Sequence, residues 1–264
     1  MRAALVTCLV SGLALAGCAT TAPTEQEQAL RAELEANSIV PATRAERDAI
    51  RNQDLLTQAA FWAEAYELNP SDREASLELA TILRQIGNAQ RSAEVARQAL
   101  ALYPDDAGLL FALGTAMAAS GRGAAAVEPL TRASQANPTD WRTLNALGVA
   151  LEQAGQSERA QSTLRDAMRF APGEPAVMSN LALSYAMAGE PDTAERLLRE
   201  AMIRPGADST VRQNLALVMA LQGRFDEAED MARVDVTPEM AEANMAYIRA
   251  MLTSRRRYDA VAGN

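Results

Sequence analysis

Few side chains in this sequence could carry covalent or acid–base chemistry. Histidine is absent, and all 25 basic residues are arginine. That removes the imidazole of a Ser-His or Cys-His pair, the His of a metal site, and the lysine of a Schiff base or phosphate loop. The only thiols are Cys8 and Cys18, both near the start of the chain. The 34 carboxylates are scattered over segments of helical periodicity, where such groups are usually solvated. A general acid with a general base would need two contrasting environments, and no spacing sets these up. No catalytic residue, metal ligand or cofactor site is assigned, and the chain is expected to bind rather than catalyse. Its net charge of −9 argues against nucleic acid, which calls for a basic footprint to neutralise phosphates. Two carriers of function remain: Cys18 as a point of covalent modification, and rows of amide, hydroxyl and apolar residues that helices could align on one face.

Arg2 and the apolar run from Ala3 to Ala16, broken only by Thr7, Cys8, Ser11 and Gly12, read as a secretory signal too short to span a membrane. The run ends in Leu15-Ala16-Gly17-Cys18, which resembles the lipobox of bacterial lipoproteins. The resemblance implies cleavage before Cys18, acylation of that residue, and a mature chain of 264 − 17 = 247 residues. An ordinary signal peptide with an incidental Cys18 is the alternative. Cys8 leaves with the signal at residues 1–17, so the mature part has no thiol pair to oxidise. Ala19, rather than the Asp linked to inner-membrane retention in that family, implies a lipid anchor in the outer membrane facing the periplasm. Acyl chains contribute about 0.8 kcal/mol per buried CH₂, so several of them hold the protein there. Residues 18–40 form a polar lipidated tether with few large apolar groups to bury, carrying one capping-box pair, Thr24 and Glu27.

The rest of the chain repeats itself. Pro70, Pro104, Pro138 and Pro172 stand 34 apart, and Gly87, Gly121, Gly155, Gly189 and Gly223 keep the same step. This resembles the tetratricopeptide (TPR) signature. It implies an all-α fold, a TPR superhelical solenoid of antiparallel helix pairs, here with a C-terminal capping helix. The repeats run 73–106, 107–140, 141–174, 175–208 and 209 to about 236, so 73–236 holds five. Small residues midway along the first helices (Ala80, Gly114, Gly148, Ala182, Ala216) face Ser92, Ala126, Ala160, Ala194 and Ala228 on the second helices. They let the two helices approach while Leu113, Leu147, Leu181 and Leu215 interlock. Ala99, Ala133, Ala167 and Ala201 do the same between repeats. Residues 41–72 read as a divergent leading repeat opened by a Thr43/Glu46 capping box, with only its second half in register. After Asp235 the register fails. Thr237 and Pro238 start a helix over 237–253, whose face of Met240, Asn244, Tyr247, Met251 and Leu252 is read as covering the last apolar surface, a partner-binding face being the alternative. Residues 254–264 are a tail whose Arg255, Arg256 and Arg257 complement the helix dipole, a docking role being the alternative.

In TPR proteins the first helices line a concave groove. Transferring those positions by register gives Leu77, Thr81, Phe111, Thr115, Asn145, Val149, Ser179, Asn180, Leu183, Gln213, Asn214 and Leu217. The row is uncharged, and it suits an amphipathic helix or an extended peptide held by amides. Asn145, Asn180 and Asn214 serve either such a peptide or neighbouring backbone groups. A clamp on a C-terminal carboxylate is not expected, since lysine is absent and Arg142 is the nearest cation. Trp62, Trp141 and Tyr185 are read as packing.

A narrower resemblance lies in the second half. Asp140-Trp141, Leu144 to Leu151, Asn180-Leu181-Ala182-Leu183-Ser184, Pro205-Gly206-Ala207, the run Val211 to Val218 leading to Leu221-Gln222-Gly223, and Ala243 to Met251 are similar to TadD-type lipoproteins of the tight-adherence (Tad/Flp) pilus machinery. The likeness spans roughly residues 60 to 252. It implies a pilotin-like accessory protein that binds secretin subunits and assists secretin and pilus assembly. The alternative function is a TPR adaptor for another envelope complex, such as peptidoglycan enzymes.

Overall fold

The computed structural model describes residues 43–262, with side chains to residue 253. The signal, the tether, Cys18 and the Thr24/Glu27 pair lie outside the described residues, as do the side chains of Arg255, Arg256 and Arg257. Thirteen helices and no strand occur among the described residues. None is long and apolar enough to cross a membrane, and no cluster there could hold a metal ion. In chain order they are α1 (Arg44–Ile50), α2 (Leu55–Leu68), α3 (Arg73–Gln85), α4 (Ala89–Leu100), α5 (Ala107–Ala119), α6 (Gly123–Ala136), α7 (Trp141–Gln153), α8 (Ser157–Phe170), α9 (Pro175–Met187), α10 (Pro191–Met202), α11 (Ser209–Leu221), α12 (Phe225–Ala232) and α13 (Pro238–Ala262). Helices α3 to α12 form five antiparallel hairpins, and each first helix also packs on the hairpin before it.

Local chemistry sets these boundaries. Asp72, Asp106, Asp140 and Asp208 cap the first helices, their carboxylates accepting from backbone N–H groups such as Ala75 at 3.0 Å and Leu109 at 2.9 Å. Each satisfies donors that a helix start leaves unpaired. At the matching place before α9, Glu174 makes no capping bond and Pro175 fills the first helical position instead. Gly87, Gly121, Gly155, Gly189 and Gly223 all adopt positive φ between 73 and 88° and reverse the chain inside each hairpin.

The small residues at the helix crossings work in two ways. Ser92 faces Ala80 as expected and donates from Oγ to its carbonyl at 2.6 Å. Gly114 and Gly148 instead receive Leu130 and Leu164, one turn beyond Ala126 and Ala160. A Cβ at Gly148 would stand 2.5 Å from Leu164 Cγ. Leu113, Leu147, Leu181 and Leu215 are buried, as are Ala99, Ala133, Ala167 and Ala201.

The two ends depart from the repeat. The Thr43/Glu46 capping box forms, yet α1 has seven residues and buries none. The leading repeat is held through α2, where Trp62 is fully buried, and through ion pairs from Arg47 to Asp72 and Glu74 and from Arg51 to Glu74 and Glu78.

At the other end the 34-residue register ends as expected, and a related pattern resumes four residues early. Asn180-Leu181-Ala182 and Asn214-Leu215-Ala216 recur as Asn244-Met245-Ala246, 30 residues on (244 − 214) instead of 34. The cause is α12, whose eight residues replace the twelve of α10. Helix α13 therefore takes the place of a further first helix, packed on α11 and α12, and runs on to Ala262, past the expected end at 253. Its buried face is Ala241, Met245 and Ile248, with Leu252 packed beside them. The stripe read as a cover is mostly open, Met240, Tyr247 and Met251 being 55, 72 and 46% exposed.

Candidate binding face

Helices α3, α5, α7, α9 and α11 begin at residues 73, 107, 141, 175 and 209, so equal positions along each form rows. The fifth residues are Leu77, Phe111, Asn145, Ser179 and Gln213; the ninth are Thr81, Thr115, Val149, Leu183 and Leu217. Except for buried Ser179 and exposed Gln213, all are half-buried, as is Asn180.

The row divides by chemistry. In the first two repeats its fifth position is apolar. Leu77 lies on Gly108 of the next helix, where an added Cβ would sit 3.1 Å from Leu77 Cδ2, and Phe111 packs beside the core of α6 and α7. The Thr81 and Thr115 hydroxyls donate to the carbonyls of Leu77 and Phe111, each at 2.8 Å, and keep only acceptor capacity. From the third repeat the row turns to amides. Asn180 Nδ2 donates to Asn145 Oδ1 at 2.9 Å, and Asn214 Nδ2 donates to Ser179 Oγ at 2.8 Å. These asparagines bond along the solenoid, from one first helix to the next, and not to neighbouring backbone. Each bond uses part of the amide, so Asn145 Nδ2 and the Oδ1 atoms of Asn180 and Asn214 take no protein partner among the described residues.

Sequence reasoning passed over Glu152, whose Oε1 and Oε2 accept from Ser157 Oγ at 2.6 Å and Ser184 Oγ at 2.5 Å. The carboxylate is thereby committed to joining α7, α8 and α9. Arg142 does not enter the row; its guanidinium lies 4.6 Å from the Trp141 ring centre. Tyr185 packs half-buried against the core of the last hairpins.

In the run Arg212-Gln213-Asn214-Leu215, three residues are engaged by the fold. Arg212 makes a two-pronged pair with Asp235, at 2.9 Å from Nε and 2.5 Å from Nη2. The guanidinium's hydrogen bonds hold the Asp235 carboxyl below its usual range. Asn214 is in the amide ladder and Leu215 is in the core. Gln213 alone faces out, into a cavity of about 390 Å³ between α11 and α13 that Leu217, Met240, Asn244 and Tyr247 also line. A second cavity of about 380 Å³ lies where α9 and α11 begin, against Ser179 and Asn180.

Sequence models of the tetratricopeptide repeat match residues 47–107 and 77–140, residues 117–183, and residues 175–200 with 211–233. No curated protein matches the chain. Among solved structures, TTC0263, a thermophilic TPR protein from Thermus thermophilus, superposes with a TM-score of 0.58 at 23% identity, over 67% of this chain and 98% of that one. MamA 41-end from Desulfovibrio magneticus RS-1 gives 0.52 at 20% identity, over 65% of this chain and 93% of that one. These likenesses concern the fold.

Proposed function

The chain belongs to the tetratricopeptide-repeat family, and from that premise we propose that it is an outer-membrane lipoprotein whose concave face grips a secretin subunit and assists Tad-type pilus assembly. The coarser part, an interaction scaffold for a protein partner, follows from the repeats themselves. The observation that carries the binding reading is the uncharged row of first-helix side chains, whose amides keep donor and acceptor atoms open after their mutual bonds are made. The pilus reading is supported by the runs resembling TadD-type proteins, and the membrane reading by the lipobox ending in Cys18. Acylation would fix the binder at its destination, and residues 18–40 would let it search the nearby volume. Together they raise the effective concentration of a captured subunit where the ring forms.

The test is gene deletion, or Cys18→Ser, followed by counting heat-stable secretin multimers in the outer membrane and pili on the cell. Loss of both is expected. Normal multimers with normal pili would refute the pilus role and leave an adaptor for another envelope complex.

A further inference from the structure

The shortened hairpin changes what stands at the end of the row. Helix α13 presents Met240, Asn244 and Tyr247 where α11 presents Thr210, Asn214 and Leu217. Two rungs of the amide ladder are closed, but the third is open. Gln213 and Asn244 hold neither each other nor any other partner among the described residues. Between them lies the cavity of about 390 Å³, and no residue lining it is charged. An ionic group seated there would lose hydration with no opposite charge to offset it. The occupant at this point is therefore apolar, while amides at the wall offer the donors and acceptors that a peptide bond needs.

We propose that this cavity seats one large apolar side chain of an extended partner segment, with Gln213 and Asn244 hydrogen-bonding its backbone. The proposal rests on the concave-face reading above and gives it a point of specificity. To test it, random dodecapeptides displayed on phage are selected against the full chain. Enriched sequences are then titrated as fluorescein-labelled peptides by fluorescence polarisation. Wild type is compared with Met240→Ser/Tyr247→Ser, Asn244→Ala and Asn180→Ala, each checked by its circular dichroism melt.

Binders should share one fixed Leu, Met, Phe or similar residue. Replacing that residue by Ala should weaken binding to wild type roughly 10- to 100-fold, the worth of one buried apolar side chain. The same replacement should cost little more in Met240→Ser/Tyr247→Ser, because the two changes remove one contact. Binders that weaken with Asn180→Ala yet ignore the α13 variants, or that share a fixed charge there, would overturn the cavity proposal and keep the groove. An empty selection, or binders indifferent to every variant, would overturn both. Should the double variant melt early, Asn244→Ala and the peptide-side replacement still decide.

Discussion

Replacing Gly148 by Ala sets two known effects against each other. Alanine is the better helix former by about 1 kcal/mol, so an open site would gain stability. At Gly148 the new Cβ would stand 2.5 Å from Leu164 Cγ and 2.7 Å from Leu164 Cδ2. Leu164 is 1% exposed, so it has little room to retreat. Overpacking of this kind costs about 1–3 kcal/mol. The fourth repeat carries Ala182 opposite Leu198 at the same two positions, so the helix pair can spread by a fraction of an ångström and the cost stays near the middle of that range, about 2 kcal/mol. The expected net loss is about 1 kcal/mol, against about 3 kcal/mol for Gly148→Leu. The assay is urea unfolding by circular dichroism, with hydrogen exchange to place the loss in α7 and α8. The double variant Gly148→Ala/Leu164→Ala recreates the Ala80/Ala96 pairing of the first repeat. It should be destabilised by about 1 kcal/mol less than the two single changes predict together. Gly148→Ala as stable as wild type, with additive double-variant losses, would refute the close approach of these helices.

Other outcomes follow from the same structure. Desolvation raises the Glu195 pKa, but hydrogen bonds from Arg224, Arg199 and Gln222 outweigh it and bring the value down to about 2 from an ordinary 4.5. A carboxylate lowered on folding contributes stability that is full above 4.5 and lost as pH falls toward about 2. Tm should therefore drop across that window, and less steeply in Glu195→Gln. Asp106→Ala removes a cap and the Arg73 pair together, so it should cost about 1–2 kcal/mol in chemical denaturation. Asp235→Asn should speed hydrogen exchange in α13 while leaving α5 to α8 unchanged, because the Arg212 pair ties α11 to the segment before α13.

The hairpin architecture was legible because its punctuation is local: a glycine that must take positive φ, and a proline after the second helices of the leading repeat and the first three repeats. The capping row Asp72, Asp106, Asp140 and Asp208 keeps the same register and was equally open to reading. Which residues are small could be read by position, but which side chain fills the space could not. The offset that brings Leu164 and not Ala160 to Gly148 depends on helix tilt, which spacing does not encode. The asparagines could be picked out as polar members of a row. Their bonds to one another arise only when first helices stack side by side, and that contact lies 35 residues away in sequence.

The end of the solenoid escapes a reading by period for a reason that also explains its cavity. A search for period 34 stops where α12 is four residues short of α10. Four residues turn a helix through about 400°, one full turn and a small remainder, so the helix that follows can still present a similar face. That is why α13 buries Ala241, Met245 and Ile248 as α11 buries Val211, Leu215 and Val218. The missing turn also removes about 6 Å of rise from the second helix. No hydrogen bond joins Asn244 to Gln213 as one joins Asn214 to Ser179, and the two amides face one cavity instead. One deletion thus keeps the face, breaks the ladder and leaves an uncharged space between two amides that have no partner among the described residues. Selectivity for a partner has most to gain where a row of equivalent side chains is interrupted, as it is between α11 and α13.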